Sequence, residues 1–348
     1  MNNNIKHQTF ANVNLSDNFF LTLKEDYPKF EKWFNSHLDR DAYVLYDDDG
    51  KIQGFLHLKN EYNVVDDVRP QINAKKILKV ATFKVEAHGT KMGEQFIKII
   101  MDYAINEKAD ICYVTIFPKH ETLIKLVKNF GFVEYGEKGD ISKPEKVYIK
   151  DMKKIVGDVN KDYPLVRKSV ANKYLLSIYP RYHSVMFPDS ILTTENKKII
   201  TDISHTNSIH KIYICTMGVD VLRYGDVVVV YRTAEDGRSA EYTAVATSIC
   251  IVEEVKQQSD FKSFDDFFDY ANQYSVFDRD DLYYWYNRGG CKAVKMTYNV
   301  AMKKRIVRHD LIEKIGMDRD GYWGFMKITD EQFEKILVQS QTNTQIFI

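Results

Sequence analysis

Cysteine, proline and glycine are all scarce in this chain, at 4, 7 and 16 of 348 residues, and no low-complexity tract or internal repeat is present. The four cysteines, Cys112, Cys215, Cys250 and Cys291, are widely separated and form no Cys-x-x-Cys pair. That spacing argues against a zinc knuckle and a disulfide framework, so buried free thiols and no metal site are expected. Net charge is also missing, with 49 basic residues against 49 acidic ones. The whole-molecule field therefore draws in neither nucleic acid nor an anionic membrane, and any polyanion site must be local. No apolar run approaches the ~20 residues that span a bilayer. The first residues, MNNNIKHQTF, lack the apolar core of a signal peptide, which makes a cytoplasmic protein the expectation.

What is present is ordinary globular material, 44% hydrophobic and 28% charged. A chain of 348 residues suits two domains of ~100–200 residues each. The pattern divides it into residues 1–155, an ordered connector at 156–205, a β-rich module at 206–330, and a C-terminal helix and tail at 331–348.

In the first part, Tyr27, Phe30, Trp33, Phe34 and Leu38 fall at helical spacing and predict a short amphipathic helix from Lys24 to Leu38, with Pro28 near its first turn. AYVLYDDDGKIQGFLHL predicts a hairpin turning at Asp47 to Gly50. A strand over Ile77–Val85 leads into a loop, His88 to Gly93. Beyond it Met92, Phe96, Ile100 and Tyr103/Ala104 mark a helix lying on a sheet. Ile111–Phe117 reads as a strand buried on both faces. A helix over His120–Phe130 then carries Leu123, Leu126, Val127 and Phe130 on one face and is capped by Gly131. Strands at Phe132–Tyr135 and Lys146–Lys150 close the unit.

A strand running through a glycine-containing loop into a helix aims backbone N–H groups and a helix dipole at one spot, which suits a pyrophosphate. With the order of elements just given, the segment resembles the GNAT superfamily over roughly residues 20–150. The resemblance implies a mixed α/β domain that binds acetyl-CoA where two central strands splay, and an N-acetyltransferase activity. The cofactor contacts it implies are Val85, His88, Gly89, Thr90, Lys91, Met92, Gly93 and His120. The family loop pattern is met strictly only at Gly93, since His88 and Lys91 replace its usual residues. The resemblance places an oxyanion-stabilising N–H near Val85-Glu86, and puts Val127 where the family often has a tyrosine that protonates the leaving thiolate. His120 is then a candidate acid, and Glu86, Glu61 and His57 are candidates for the base that takes the ammonium proton.

From Ile209 the pattern turns mainly β. Ile212–Met217, Arg223 to Asp226 entering a valine-rich strand, and Tyr322 to Phe325 resemble a PUA/ASCH/EVE-type small β-barrel, which implies RNA or DNA as a partner. Stacking aromatics beside cations suit single-stranded nucleic acid, and Tyr284, Trp285, Lys303, Lys304, Arg305 and Arg308 supply them. The stretch from Arg288 to Arg308 holds seven cations with no acid between them. The whole chain is thus expected to be an acetyl-CoA-dependent N-acetyltransferase whose second domain recognises the substrate, possibly nucleic-acid-borne. A non-catalytic nucleic-acid-binding or regulatory protein with a degenerate GNAT domain stays open, as does a peptide or small-molecule acetyltransferase whose second domain only packs or dimerises.

Overall fold

The computed structural model describes residues 4–86, 91–169, 171–188 and 208–348. The expectations placed on His88, Gly89 and Thr90 lie outside them. The described chain forms two compact units that meet in sequence at Met152 and Lys153. Among the described residues no helix is long and apolar enough to cross a membrane.

The first unit begins with β1 (Asn4–Thr9). The helix expected over residues 24–38 is two short ones, α1 (Leu21–Asp26) and α2 (Phe30–Asn35). The break lies at Tyr27, whose backbone (φ −127°, ψ 89°) leaves the helical region because the ring of the following Pro28 disfavours it. Phe10, Phe20, Phe30, Phe34 and Phe55 are buried together, with Phe10 stacked on Phe34 at 4.4 Å, and this aromatic cluster anchors both helices to the sheet.

Strands β2 (Asp41–Tyr46) and β3 (Ile52–Val65) form the expected hairpin. Its turn is held by Asp47, whose carboxylate accepts from the N–H groups of Asp49 and Lys51, and by Gly50 at φ 77°. There follow β4 (Val68–Arg69), β5 (Ile72–Val85), α3 (Met92–Asn106), β6 (Ile111–Ile116), α4 (Glu121–Asn129), β7 (Val133–Lys138) and β8 (Glu145–Asp151). The stripe of Met92, Phe96, Ile100 and Ala104 is buried as its spacing requires. Gly131 takes φ 84° beyond α4, the left-handed cap that a side chain would strain. The sheet order is β1-β2-β3-β5-β6-β8-β7-β4, with β5 and β6 parallel and their other neighbours antiparallel.

The second unit contains α5 (Val159–Asp162), β9 (Lys173–Ile178), α6 (Pro180–Met186), β10 (His210–Cys215), β11 (Val227–Arg232), α7 (Ala240–Thr243), β12 (Val245–Gln257), α8 (Phe264–Ala271), α9 (Arg279–Arg288), β13 (Lys292–Val307), α10 (Arg308–Glu313), β14 (Phe325–Ile328) and α11 (Asp330–Gln339). Its sheet runs β10-β13-β12-β11-β9-β14. The barrel expected from the pattern is not closed: among the described residues the sheet ends at β10 on one side and β14 on the other. Register shifts between β12 and β13 bend it instead. Ser177 of β9 and Tyr213 to Cys215 of β10 consequently line one cavity. Lys173 to Ile178, within the stretch read as connector, lies inside this sheet as a parallel partner of β11. All four cysteines are buried and unbridged.

Candidate active site

β5 and β6 pair only from Ile77 opposite Ile111 to Val80 opposite Val114, after which they part. Alternation along β5 decides which backbone groups the fork exposes. Glu86 N–H donates to Gln53 O of the neighbouring β3 hairpin at 2.9 Å, so the N–H groups of Phe83 and Val85 point to the opposite edge, into the fork. The oxyanion donor expected near Val85-Glu86 is therefore not Glu86 N–H, which is already engaged.

The fork opens a cavity of about 530 Å³ lined from β5 by Val80 to Phe83, from β6 by Val114 to Ile116, and from α1 and α2 by Asp26, Tyr27, Phe30 and Trp33. Phe117, His120 and Leu123 complete it from the turn into α4. Two polar clusters include side chains of its wall, Asp26 with His120 and Tyr27 with Thr115. In the first, Asp26, with a side chain only 4% exposed, accepts from His120 Nε2 at 2.8 Å and from Lys119 Nζ. Burial alone would raise the carboxyl pKa, but the hydrogen bonds and charges of Lys119 and His120 outweigh it and hold Asp26 below the usual range. In the second, Glu145 accepts at one oxygen from Tyr27 Oη at 2.5 Å and from Thr115 Oγ1 at 3.0 Å. Burial and the adjacent carboxylate push the Tyr27 phenol well above its ordinary value, so it stays neutral.

His120 lines the cleft cavity. Glu61 does not: it faces Ile77, where β5 and β6 are still paired, and is held by Tyr113 Oη at 2.7 Å and Lys59 Nζ at 3.0 Å. Glu86 sits at the end of β5 in an ion pair with Lys84 at 2.9 Å, engaged by its own strand rather than lining the cavity. His57 is buried between Phe10 and Trp33 and bonded through Nδ1 to Asp41 O at 2.8 Å, and burial lowers its pKa. Val127 is 1% exposed and faces the core. Lys91 caps the N-terminus of α3, where burial lowers its pKa to about 8. Met92 is buried. A Cβ on Gly93 would meet Leu126 Cδ2 at 2.7 Å, so this glycine answers a helix-to-helix approach between α3 and α4. The sequence reading missed Asp26, Tyr27, Thr115 and Glu145, whose hydrogen bonds join positions 30 to 118 residues apart.

In the second unit Tyr284 is 57% exposed and Trp285 half-buried against the core. Trp285 and Arg308 come together in a cavity of about 300 Å³ with Tyr179, Tyr231 and Trp323. The basic stretch is less free than its sequence implies. Lys292 pairs with Asp220 at 2.5 Å and Lys295 with Glu253 at 3.1 Å, while Arg308 lies over the Trp323 ring. Lys303 and Lys304 are exposed on β13, and Arg305 half-buried beside them.

No family model matches the chain, and no curated protein matches it. Solved structures similar to it include ASCH from Zymomonas mobilis, 8% identical, covering 48% of this chain and 94% of that one at a TM-score of 0.34. A GNAT family acetyltransferase from Elizabethkingia anophelis with acetyl-CoA bound is 11% identical, covering 43% and 98% at 0.32. The Campylobacter jejuni N-acetyltransferase PseH is 16% identical, covering 42% and 97% at 0.27. The structural neighbours of this chain thus include GNAT acetyltransferases and ASCH proteins, each over half of its length or less.

Proposed function

We propose that the first unit is an N-acyltransferase that uses acetyl-CoA. The observation that carries this reading is the fork between β5 and β6. Past Val80 the inner edge of β5 has no strand beside it among the described residues, and backbone groups facing an apolar slot suit the amide-bearing pantetheine arm of CoA. The helix that follows β5 supplies N–H groups and, through Lys91, a cation for the pyrophosphate. Within the cleft His120 is oriented by Asp26 as an acid or base, and neutral Tyr27 takes the place of the thiolate acid that Val127 does not provide.

The test is a melting curve of the full chain with and without CoA and acetyl-CoA. A ligand that binds only the folded state at a hundredfold excess over Kd adds ~2.7 kcal/mol. An unchanged curve at millimolar ligand removes the reading. A protein that holds CoA without turning it over is favoured by one observation, the burial of Val127. Such a protein would show the melting shift and release no free thiol with any amine.

We further propose that the second unit binds single-stranded nucleic acid, with Tyr284 and Trp285 as stacking faces and Lys303, Lys304, Arg305 and Arg308 as phosphate contacts. The exposure of Tyr284, Lys303 and Lys304 supports this assignment.

A further inference from the structure

Charge in the wall of the cleft does not balance. Asp26, the one acid of the lining, is matched by Lys119 and His120. Glu145, which accepts from Tyr27 and Thr115 behind the wall, has Lys138 directly opposite it on β7. Lys29 is left over: it lines the cavity, and its ammonium has no carboxylate within ion-pair distance among the described residues. A second lysine of the same kind stands nearby. Lys143, in the turn between β7 and β8, holds its ammonium 5.2 Å from the centre of the Phe117 ring, again with no acid paired to it among the described residues. Phe117 packs on Tyr27 at 5.3 Å, and Lys29 follows Tyr27 by two residues, so both lysines border one pair of rings in the cavity wall. Apolar walls around charge of one sign focus its field on whatever enters, and the sign here is positive. The pyrophosphate of CoA is assigned to Lys91 and the start of α3, and no residue of α3 lines this cavity.

We infer that the acceptor is a small amine that also carries a carboxylate or a phosphate, its anion held between Lys29 and Lys143 beside the Tyr27–Phe117 pair and its nitrogen turned toward His120. This rests on the acyl-transfer reading of the same cleft. A cavity of about 530 Å³ suits a molecule of that size. The ammonium gives one proton to His120, which Asp26 orients. The freed nitrogen attacks the thioester carbonyl carbon, a C–N bond forms, and the C–S bond breaks as the tetrahedral adduct collapses. The second nitrogen proton ends on the departing sulfur, giving CoA as free thiol, and His120 returns its own proton to solvent. The two lysines reward the anionic group, give nothing to an amine without one, and repel a polycation, so they sort acceptors by charge.

The full chain is incubated with acetyl-CoA and two matched pairs, phenylalanine against 2-phenylethylamine and phosphoethanolamine against ethanolamine, with free thiol and acetylated product both measured. Only the anionic group differs within a pair. The anionic member of at least one pair should have the higher kcat/KM, and the pair that shows it names the anion as carboxylate or phosphate. Lys29→Met combined with Lys143→Met should shrink that preference on the order of tenfold, through KM rather than kcat, as expected for two exposed charge contacts. Added salt should shrink it in the wild type as well. Lys75→Met, which removes an exposed lysine of β5 outside the cavity lining, should not. Calorimetry on the CoA-saturated protein gives a readout free of turnover: the preferred anionic amine binds one to one, and more weakly in the double variant, while affinity for CoA is kept. The inference is overturned by preference for the uncharged arm in both pairs, by preference for spermidine or a short RNA, or by an unchanged preference in the double variant. It is overturned too if the double variant loses CoA affinity in step with kcat/KM, which would assign the lysines to the phosphates of CoA. Absence of CoA binding in the wild type is a different failure, and it removes the acyl-transfer reading itself.

Discussion

Asp26 on α1 and His120 at the start of α4 meet through a 2.8 Å hydrogen bond between Oδ2 and Nε2, joining two segments of the cleft wall that lie 94 residues apart. The contact engages Nε2 of the imidazole with the Asp26 carboxylate.

The same pair makes stability depend on pH. The Asp26 pKa is depressed in the folded chain, so its contribution is present above the unfolded value near 3.8 and is lost as pH falls through the folded value. Lys119 and His120 are about half exposed, which screens the interaction to about 1 kcal/mol. Asp26→Asn should therefore lower the unfolding free energy at pH 7 by that amount, as read from urea titrations, and the gap to wild type should narrow as pH is brought below 4. A gap of constant size across that range would mean that the carboxylate charge does not matter.

Gly93 and Leu126 should behave as a coupled pair. An alanine Cβ at 93 approaches Leu126 Cδ2 to 2.7 Å, and the overpacking should cost about 1–3 kcal/mol. Leu126→Ala should relieve most of that cost in the double variant, as read from a double-mutant cycle of urea midpoints. Additive effects would show that the glycine is needed for something other than this approach.

Lys91 gives a proton-linked signature of anion binding. Burial lowers its pKa from 10.5 to about 8, so near pH 8 a sizeable fraction is neutral. A bound pyrophosphate would favour the charged form, and CoA binding at pH 8 to 9 should therefore take up protons. Calorimetric enthalpies in buffers of different ionisation enthalpy measure that uptake. It should vanish in Lys91→Met. The same variant should also be more stable than wild type at pH 7, with the gain fading as pH rises from 8 through 10.5, because the buried ammonium is penalised only while charged.

For the second unit, replacing Lys303, Lys304 and Arg305 with alanine should reduce the slope of log K against log salt by up to about 2 for single-stranded RNA, at ~0.7 per phosphate contact. Tyr284→Ala should lower affinity by ~1–3 kcal/mol at every salt concentration with the slope kept. Trp285→Ala is expected to cost stability as well, because that ring also packs on the core. Fluorescence anisotropy at several salt concentrations separates the terms, and no binding at low salt would end the nucleic-acid assignment.

The sequence by itself determined the elements whose signals are local. The Asp47 to Gly50 turn, the buried face of α3 and the Gly131 cap follow from spacing, φ requirements and propensity, which act within a few residues. Pro28 was visible too, but not its effect, which splits the expected helix and leaves Asp26 and Tyr27 beside the cavity. Only the tertiary structure decided the site. Whether a carboxylate is solvated, paired or stranded depends on what the fold brings against it. Glu61, plausible in sequence, is spent on Tyr113 below the fork, whereas Glu145, unremarked in sequence, accepts from Tyr27 and Thr115 of the cleft wall. In the second unit the basic stretch looked unopposed because its acids, Asp220 and Glu253, are distant in sequence: Glu253 comes from β12, which pairs with β13 in the sheet, and Asp220 from the segment after β10. Charge and burial are properties of three-dimensional neighbourhoods, and a pattern along the chain carries them only where those neighbours are also close in sequence.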